Sequence, residues 1–133
     1  MTETFKKLNF KSQNPILILG APDSFNREIS ATKAETTVHL QPAKGVTYSF
    51  VLVFGAMRSD IEAHASKALK LLKGDAVCWF AYPKGTSKKY KSDLSREIMW
   101  DALIPMGVRP VRQIAIDNDW SALRFQKGEL GKP

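Results

Sequence analysis

Three apolar runs divide the chain, and each is closed by a glycine or a proline. ILILG, residues 16–20, follows Asn14-Pro15; YSFVLVF, residues 48–54, precedes Gly55; AVCWFAY, residues 76–82, precedes Pro83. Short runs of large side chains without polar alternation are what strands buried on both faces require. A fourth segment, Thr36-Thr37-Val38-His39-Leu40, alternates and is β-branched, so it predicts an edge strand. Between these runs the period changes. Pro22, Asp23 and Ser24 suit the first turn of a short helix whose buried side would be Phe25 and Ile29. Ser59 and Glu62 have capping-box spacing, and Ile61, Ala65, Ala68, Leu69 and Leu72 form one helical stripe. Gly74 is placed for the C-cap, with Lys70 and Lys73 at the negative end of the dipole. Ser92, followed by Asp93, starts a further helix with Leu94, Ile98, Ala102 and Leu103 inward, ended by Pro105 and Gly107. Val111–Ile116 and Trp120–Phe125 flank Asp117-Asn118-Asp119 as a hairpin.

This order, β-α-β-β-α-β-α and then a hairpin, predicts an α/β fold. The expectation is a single Rossmann-like three-layer domain, with a mainly parallel sheet closing on a C-terminal antiparallel β-hairpin. A chain of 133 residues fits one domain, with residues 1–13 as a basic, loosely held extension and 128–133 as a flexible tail. One cysteine excludes an internal disulfide, and no apolar run reaches the roughly 18 residues of a membrane span. MTETFKKLNFKSQ has no apolar stretch of signal-peptide length, so the expected location is the cytoplasm. A homodimer is the default assembly for such a domain, and the sequence does not say which surface would form it.

Charge directs attention to the loops. The net charge is +7 and the pI about 9.6, which suits an anionic partner without requiring one. Ligands of open α/β sheets bind outside the carboxyl ends of the strands. Three loops leave such ends here, giving as candidate ligand-binding residues Gly20, Asp23 and Ser24; Gly55, Arg58 and Ser59; and Lys84, Gly85, Thr86, Ser87 and Lys88. Neither a phosphate-binding G-x-x-x-x-G-K-[ST] loop nor G-x-G-x-x-G is present, and His39-Leu40-Gln41 lacks the acid that usually holds a ribose. Lys84, Lys88, Lys89 and Lys91 beside Tyr90 read either as a phosphate-facing patch or as a solvated strand-to-helix connection.

No catalytic constellation emerges. His39 and His64 are the only histidines, and with Cys78 they have no zinc spacing, so no metal or cofactor is expected. His64 is predicted on the polar side of its helix and His39 in an exposed strand. Cys78 lies in an apolar run, as a buried inert thiol would. A G-x-S-x-G elbow is absent. Asp117 and Asp119 fit a tight turn better than an acid pair. Trp79 and Trp100 read as packing residues. Trp120 and Arg124 share a strand face, which would be either core or an interface.

WFAYPKG from Trp79, Asp93-Leu94, Gly107-Val108 and DWSALRF from Asp119 resemble a family of short, uncharacterised bacterial proteins known only as a domain of unknown function. The likeness covers the C-terminal half and implies a small Rossmann-like domain without an established activity. A wider resemblance is to class I S-adenosylmethionine methyltransferases, whose sheet also ends in an antiparallel hairpin. Their glycine-rich loop and the acid after the second strand are absent here. Three functions stay open: a non-catalytic domain binding an anionic ligand or a protein partner; a degenerate or divergent S-adenosylmethionine-type methyltransferase; and a nucleic-acid-binding protein using the lysine loop and Lys6, Lys7 and Lys11.

Overall fold

A computed structural model describes residues 1–127. The expected C-terminal tail, 128–133, lies outside the described residues. Six strands form one sheet: β1 (Ile16–Leu19), β2 (Val38–His39), β3 (Tyr48–Phe54), β4 (Leu72–Pro83), β5 (Val108–Ala115) and β6 (Trp120–Lys127). Their spatial order is β2-β1-β3-β4-β6-β5. The first four run parallel, and β6 is antiparallel to both of its neighbours, β4 and β5. The expected hairpin is therefore present, with its second strand inserted between β4 and the outer strand β5. From β1 the chain goes first to β2 on one side and then to β3 on the other. The switch in strand order thus falls between β1 and β3.

Side chains alternate across the sheet and feed two cores, completing the expected three layers. On one face Leu17, Leu19, Val51 and Val53 meet Ile61, Ala65, Met99 and Leu103 from α3 (Arg58–Ala68) and α4 (Arg96–Leu103). On the other, Ile16, Ile18, Phe50 and Leu52 meet Phe5 from α1 (Glu3–Lys7) and Ile29 from α2 (Asn26–Thr32). A 3-10 turn, Asp23–Phe25, leads into α2 and buries Phe25.

The N-terminal segment differs from the loose extension expected. Phe5, Leu8 and Phe10 are buried, and Trp79 Nε1 donates to the Leu8 carbonyl oxygen at 2.8 Å in the interior. The lysines of this segment suggest a solvated extension, but Phe5, Leu8 and Phe10, spaced among them, give it the apolar side that docks it.

Helix ends also shift. Ser59 does not cap α3: Met57 is the N-cap, and the Asp60 carboxylate accepts from the Met57 N–H at 3.3 Å. The helix stops at Ala68, and Leu72 already pairs with Tyr48 in the sheet. Gly74 is consequently not a C-cap. It lies in β4 with φ +56°, inside the stretch where the β3–β4 register slips between Tyr48 and Phe50. Ser95, not Ser92, caps α4, its Oγ accepting from the Ile98 N–H at 3.2 Å. The edge strand β2 is short because Asn14 Oδ1 accepts the Thr37 N–H at 3.0 Å, and Thr36 Oγ1 donates to the Gln13 carbonyl at 2.6 Å. Gly107 ends the α4 region in the left-handed conformation, as predicted.

Candidate functional site

A cleft of about 270 Å³ opens at the switch point, lined by Gly20, Pro22, Phe54, Gly55, Ala56, Asp60, His64, Tyr90 and Trp120. It lies outside the carboxyl ends of β1 and β3, where open α/β sheets place ligands. Gly20 ends β1 with φ +72°, and a Cβ there would sit 2.6 Å from the Phe54 carbonyl oxygen and 2.8 Å from His64 Cε1. Only glycine lets the β1 turn, the end of β3 and the α3 histidine approach so closely. The opposite wall is aromatic. Phe25 packs on Phe54 at 4.9 Å, Phe54 meets Trp120 edge-on at 5.2 Å, and Trp120 meets Tyr90 at 5.0 Å between centroids.

His64 Nδ1 and Trp120 Nε1 are both buried without a hydrogen-bond partner among the described residues. An unpaired buried polar atom costs about 1–3 kcal/mol, and both of these belong to residues that line the cleft. His64 is half-buried in the cleft wall, not on a purely polar helix face as expected.

A second cavity of about 400 Å³ lies beyond the end of β4, lined by Tyr82, Lys84, Gly85, Thr86, Leu94, Ser95, Arg96, Gln113 and Ser121. The predicted site residues therefore divide. Gly20 and Gly55 line the first cleft, and Lys84, Gly85 and Thr86 line the second. Asp23, Ser24, Ser59 and Lys88 are exposed and line neither. Ser87 is structural: its Oγ donates to Asp119 Oδ1 at 2.8 Å and accepts from the Lys89 and Tyr90 N–H groups at 3.3 Å. With Lys84 N–H donating to the Asp119 carbonyl at 2.8 Å, the lysine loop is docked on the β5–β6 turn. Asp117 Oδ1 accepts from the N–H groups of Asp119 and Trp120, giving the tight turn anticipated.

Arg58 is engaged rather than free. Its guanidinium donates to Asp101 at 2.9 Å and to Glu62 at 3.3 Å, and these hydrogen bonds, to Asp101 first and then Glu62, raise its pKa. Its backbone N–H donates to Asp93 Oδ1 at 2.7 Å. The N-terminus of α3, expected to attract an anionic ligand, is thus occupied by the chain's own Asp93 and Asp60. Asp93→Ala is expected to lower stability by about 1 kcal/mol, measured by urea denaturation, as loss of an N-terminal cap does. An unchanged midpoint would show that this carboxylate caps nothing.

Trp120 is 3% exposed, so the exposed Trp120–Arg124 interface face is not formed. Trp120 belongs to the core, and Arg124 is half-buried opposite Trp79. His39 Nδ1 lies 2.6 Å from the Tyr48 hydroxyl, so the last residue of β2 is held in a structural pair, and the residues after it, Leu40 and Gln41, carry no acid. Among the described residues no three metal-ligating side chains cluster, and no helix is long and apolar enough to cross a membrane.

Burial pushes the Cys78 thiol up to about 12, although Lys127 and Arg124 oppose this. Cys78 in the native protein is expected to react with a disulfide reagent at pH 8 only through global unfolding. Prompt stoichiometric labelling would contradict that. A raised folded-state pKa favours the folded protein fully below the free-thiol value and loses that advantage as pH climbs towards 12. The stability gap between the native chain and Cys78→Ala should therefore narrow above about pH 9.

Comparison of the whole fold with solved structures decides the architecture. A S-adenosylmethionine-dependent methyltransferase from Aquifex aeolicus superposes with a TM-score of 0.62 at 11% identity, covering 94% of this chain and 89% of the other. The N-methyltransferase NodS from Bradyrhizobium japonicum WM9 gives 0.59 at 12% identity, over 93% and 92%. DhpI, solved with S-adenosylhomocysteine (SAH), gives 0.63 at 10% identity, over 93% and 81%.

The chain has a methyltransferase-like Rossmann fold.

At such identities the likeness establishes the fold alone. No family model matches the chain, so the narrower resemblance to a bacterial family of unknown function has no such support. No curated protein matches either.

Proposed function

We propose that the protein is a degenerate S-adenosylmethionine-methyltransferase-fold domain whose switch-point cleft binds a nucleoside-sized ligand. The observation that carries this is the pair of unpartnered ring nitrogens, on His64 and Trp120, in a cleft with Tyr90 and Trp120 as aromatic walls. A planar base can stack on the Tyr90 ring while the in-plane Trp120 N–H donates to its edge.

The whole cofactor fits less well. S-adenosylmethionine supplies a sulfonium methyl group, and its ribose and amino-acid ends need their own cradles. The space beside Gly20 is filled by His64 and the Phe54 carbonyl, no acid follows β2, and Asp93 closes the α3 N-terminus. The cleft is also slightly below the roughly 300 Å³ where small-molecule pockets begin. These features support binding of the nucleoside part without methyl transfer.

The site is tested by nuclear magnetic resonance with adenosine. Saturable shifts at the Gly20 and Gly55 amides and the Trp120 indole N–H are expected, with loss of binding in Trp120→Phe and His64→Ala. Shifts confined to other residues would place the ligand elsewhere and defeat the assignment.

A further inference from the structure

Ser121 follows Trp120 on β6, and strand alternation sends their side chains to opposite faces. Trp120 closes the switch-point cleft, whereas Ser121 lines the cavity between the end of β4 and the start of α4. Ser121 is 7% exposed, and its hydroxyl makes no side-chain hydrogen bond among the described residues, so it opens on the cavity. Beside it, the Tyr82 hydroxyl accepts from Gln113 Nε2 at 3.2 Å, leaving its own proton to donate. Tyr82 is protonated at neutral pH, as an ordinary phenol is, and burial raises its pKa further, with Arg96 only partly opposing this. Lys84 and Arg96 add two positive charges, Arg96 also pairing with Glu97 at 3.6 Å, and among the described residues no carboxylate is part of the cavity lining itself. Ser95, also in the lining, caps α4 with its Oγ accepting from the Ile98 N–H, which fixes the start of the helix at the cavity.

The cavity adjoins a mainly apolar recess of about 220 Å³ that shares Arg96 and Gln113 with it and also has Arg112 in its lining. Trp100 and Leu123 form the recess floor, with Val111, 48% exposed, at its rim on the outer strand β5. Trp100 Nε1 is buried without a partner among the described residues, and the Arg96 guanidinium lies 5.4 Å from the Trp100 ring centroid.

We infer that this groove binds a small organic anion, its phosphate or carboxylate head at Lys84, Arg96, Tyr82 and Ser121 and its flat apolar body against Trp100 and Val111. The site shares no lining residue with the nucleoside cleft and does not depend on it. Donors of several kinds around a cationic mouth recognise an oxyanion, and the adjoining recess selects one that carries an apolar group.

The test is a nuclear magnetic resonance titration of the whole chain with four probes: phenyl phosphate, benzoate, inorganic phosphate and benzyl alcohol. Phenyl phosphate or benzoate should give saturable shifts at Gly85, Thr86, Arg96 and Ser121. The tighter of the two identifies the head group. Inorganic phosphate, which lacks the body, and benzyl alcohol, which lacks the charge, should each bind about tenfold more weakly or worse. Lys84→Gln and Arg96→Gln should each weaken the aryl anion about tenfold, and Trp100→Leu should weaken it while sparing inorganic phosphate. The inference is overturned if neither aryl anion saturates by about 10 mM. It also fails if the shifts map to Gly20 and Gly55, or if the double Lys84→Gln/Arg96→Gln variant keeps its affinity within twofold.

Discussion

Deletion of residues 1–10 should abolish cooperative folding. Phe5, Leu8 and Phe10 are each at most 2% exposed, and burial of each side chain contributes about 1.5–3 kcal/mol. Phe5 and Phe10 also make ring contacts with Phe50, at 5.9 and 5.6 Å, which add about 0.5–1.5 kcal/mol apiece. The deletion further removes the Leu8 carbonyl that accepts from the buried Trp79 indole. The sum is comparable to the whole stability of an ordinary domain, about 5–15 kcal/mol. Circular dichroism of the truncated chain should show no sharp thermal transition, and the uncovered Phe25, Phe50 and Trp79 surface should bind an apolar dye. A sharp transition within a few degrees of the full chain would show that the segment is dispensable.

The second large effect is expected at Gly20→Ala. The left-handed φ of +72° costs an L-residue about 1–2 kcal/mol, and the new Cβ would meet a backbone oxygen at 2.6 Å that cannot rotate away. We expect a loss of about 2–4 kcal/mol in urea unfolding, together with loss of adenosine binding. His64→Ala in the same chain should restore part of the stability, since His64 Cε1 is the second contact, but not all of it, since the Phe54 carbonyl remains. Full additivity of the two substitutions would mean that Gly20 and His64 do not share the cleft as described.

The strands were legible in the sequence because β1, β3 and β4 are covered on both faces, and such burial leaves uninterrupted apolar runs. The closing hairpin was legible because Asp117 takes two backbone N–H groups and so announces its turn. Helix starts were less so. Ser92 and Ser95 offer the same cap hydroxyl, and Asp93, expected in the first turn of α4, is instead brought by the fold to the Arg58 N–H thirty-five positions away in sequence. The α3 N-terminus and Arg58 looked available for a ligand for the same reason: their partners Asp93 and Asp101 come from α4 and the loop before it. His64 was placed on the polar side of its helix because nothing local shows that Gly20, without a side chain, leaves room for it. Trp120 and Tyr90 meet only once the lysine loop docks on Asp119. The cleft depends on contacts between distant segments, which periodicity does not encode.

The central claim is that this methyltransferase-like fold keeps a nucleoside cleft but not a complete cofactor cradle. Calorimetry comparing adenosine with SAH tests it most directly. At about −0.3 kcal/mol per non-hydrogen atom, a nucleoside of roughly 19 such atoms should bind with a Kd near 0.1 mM. The account predicts that SAH binds within about tenfold of adenosine, because its amino-acid end meets no cradle. SAH binding a hundredfold or more tighter than adenosine would contradict it and establish an intact cofactor site.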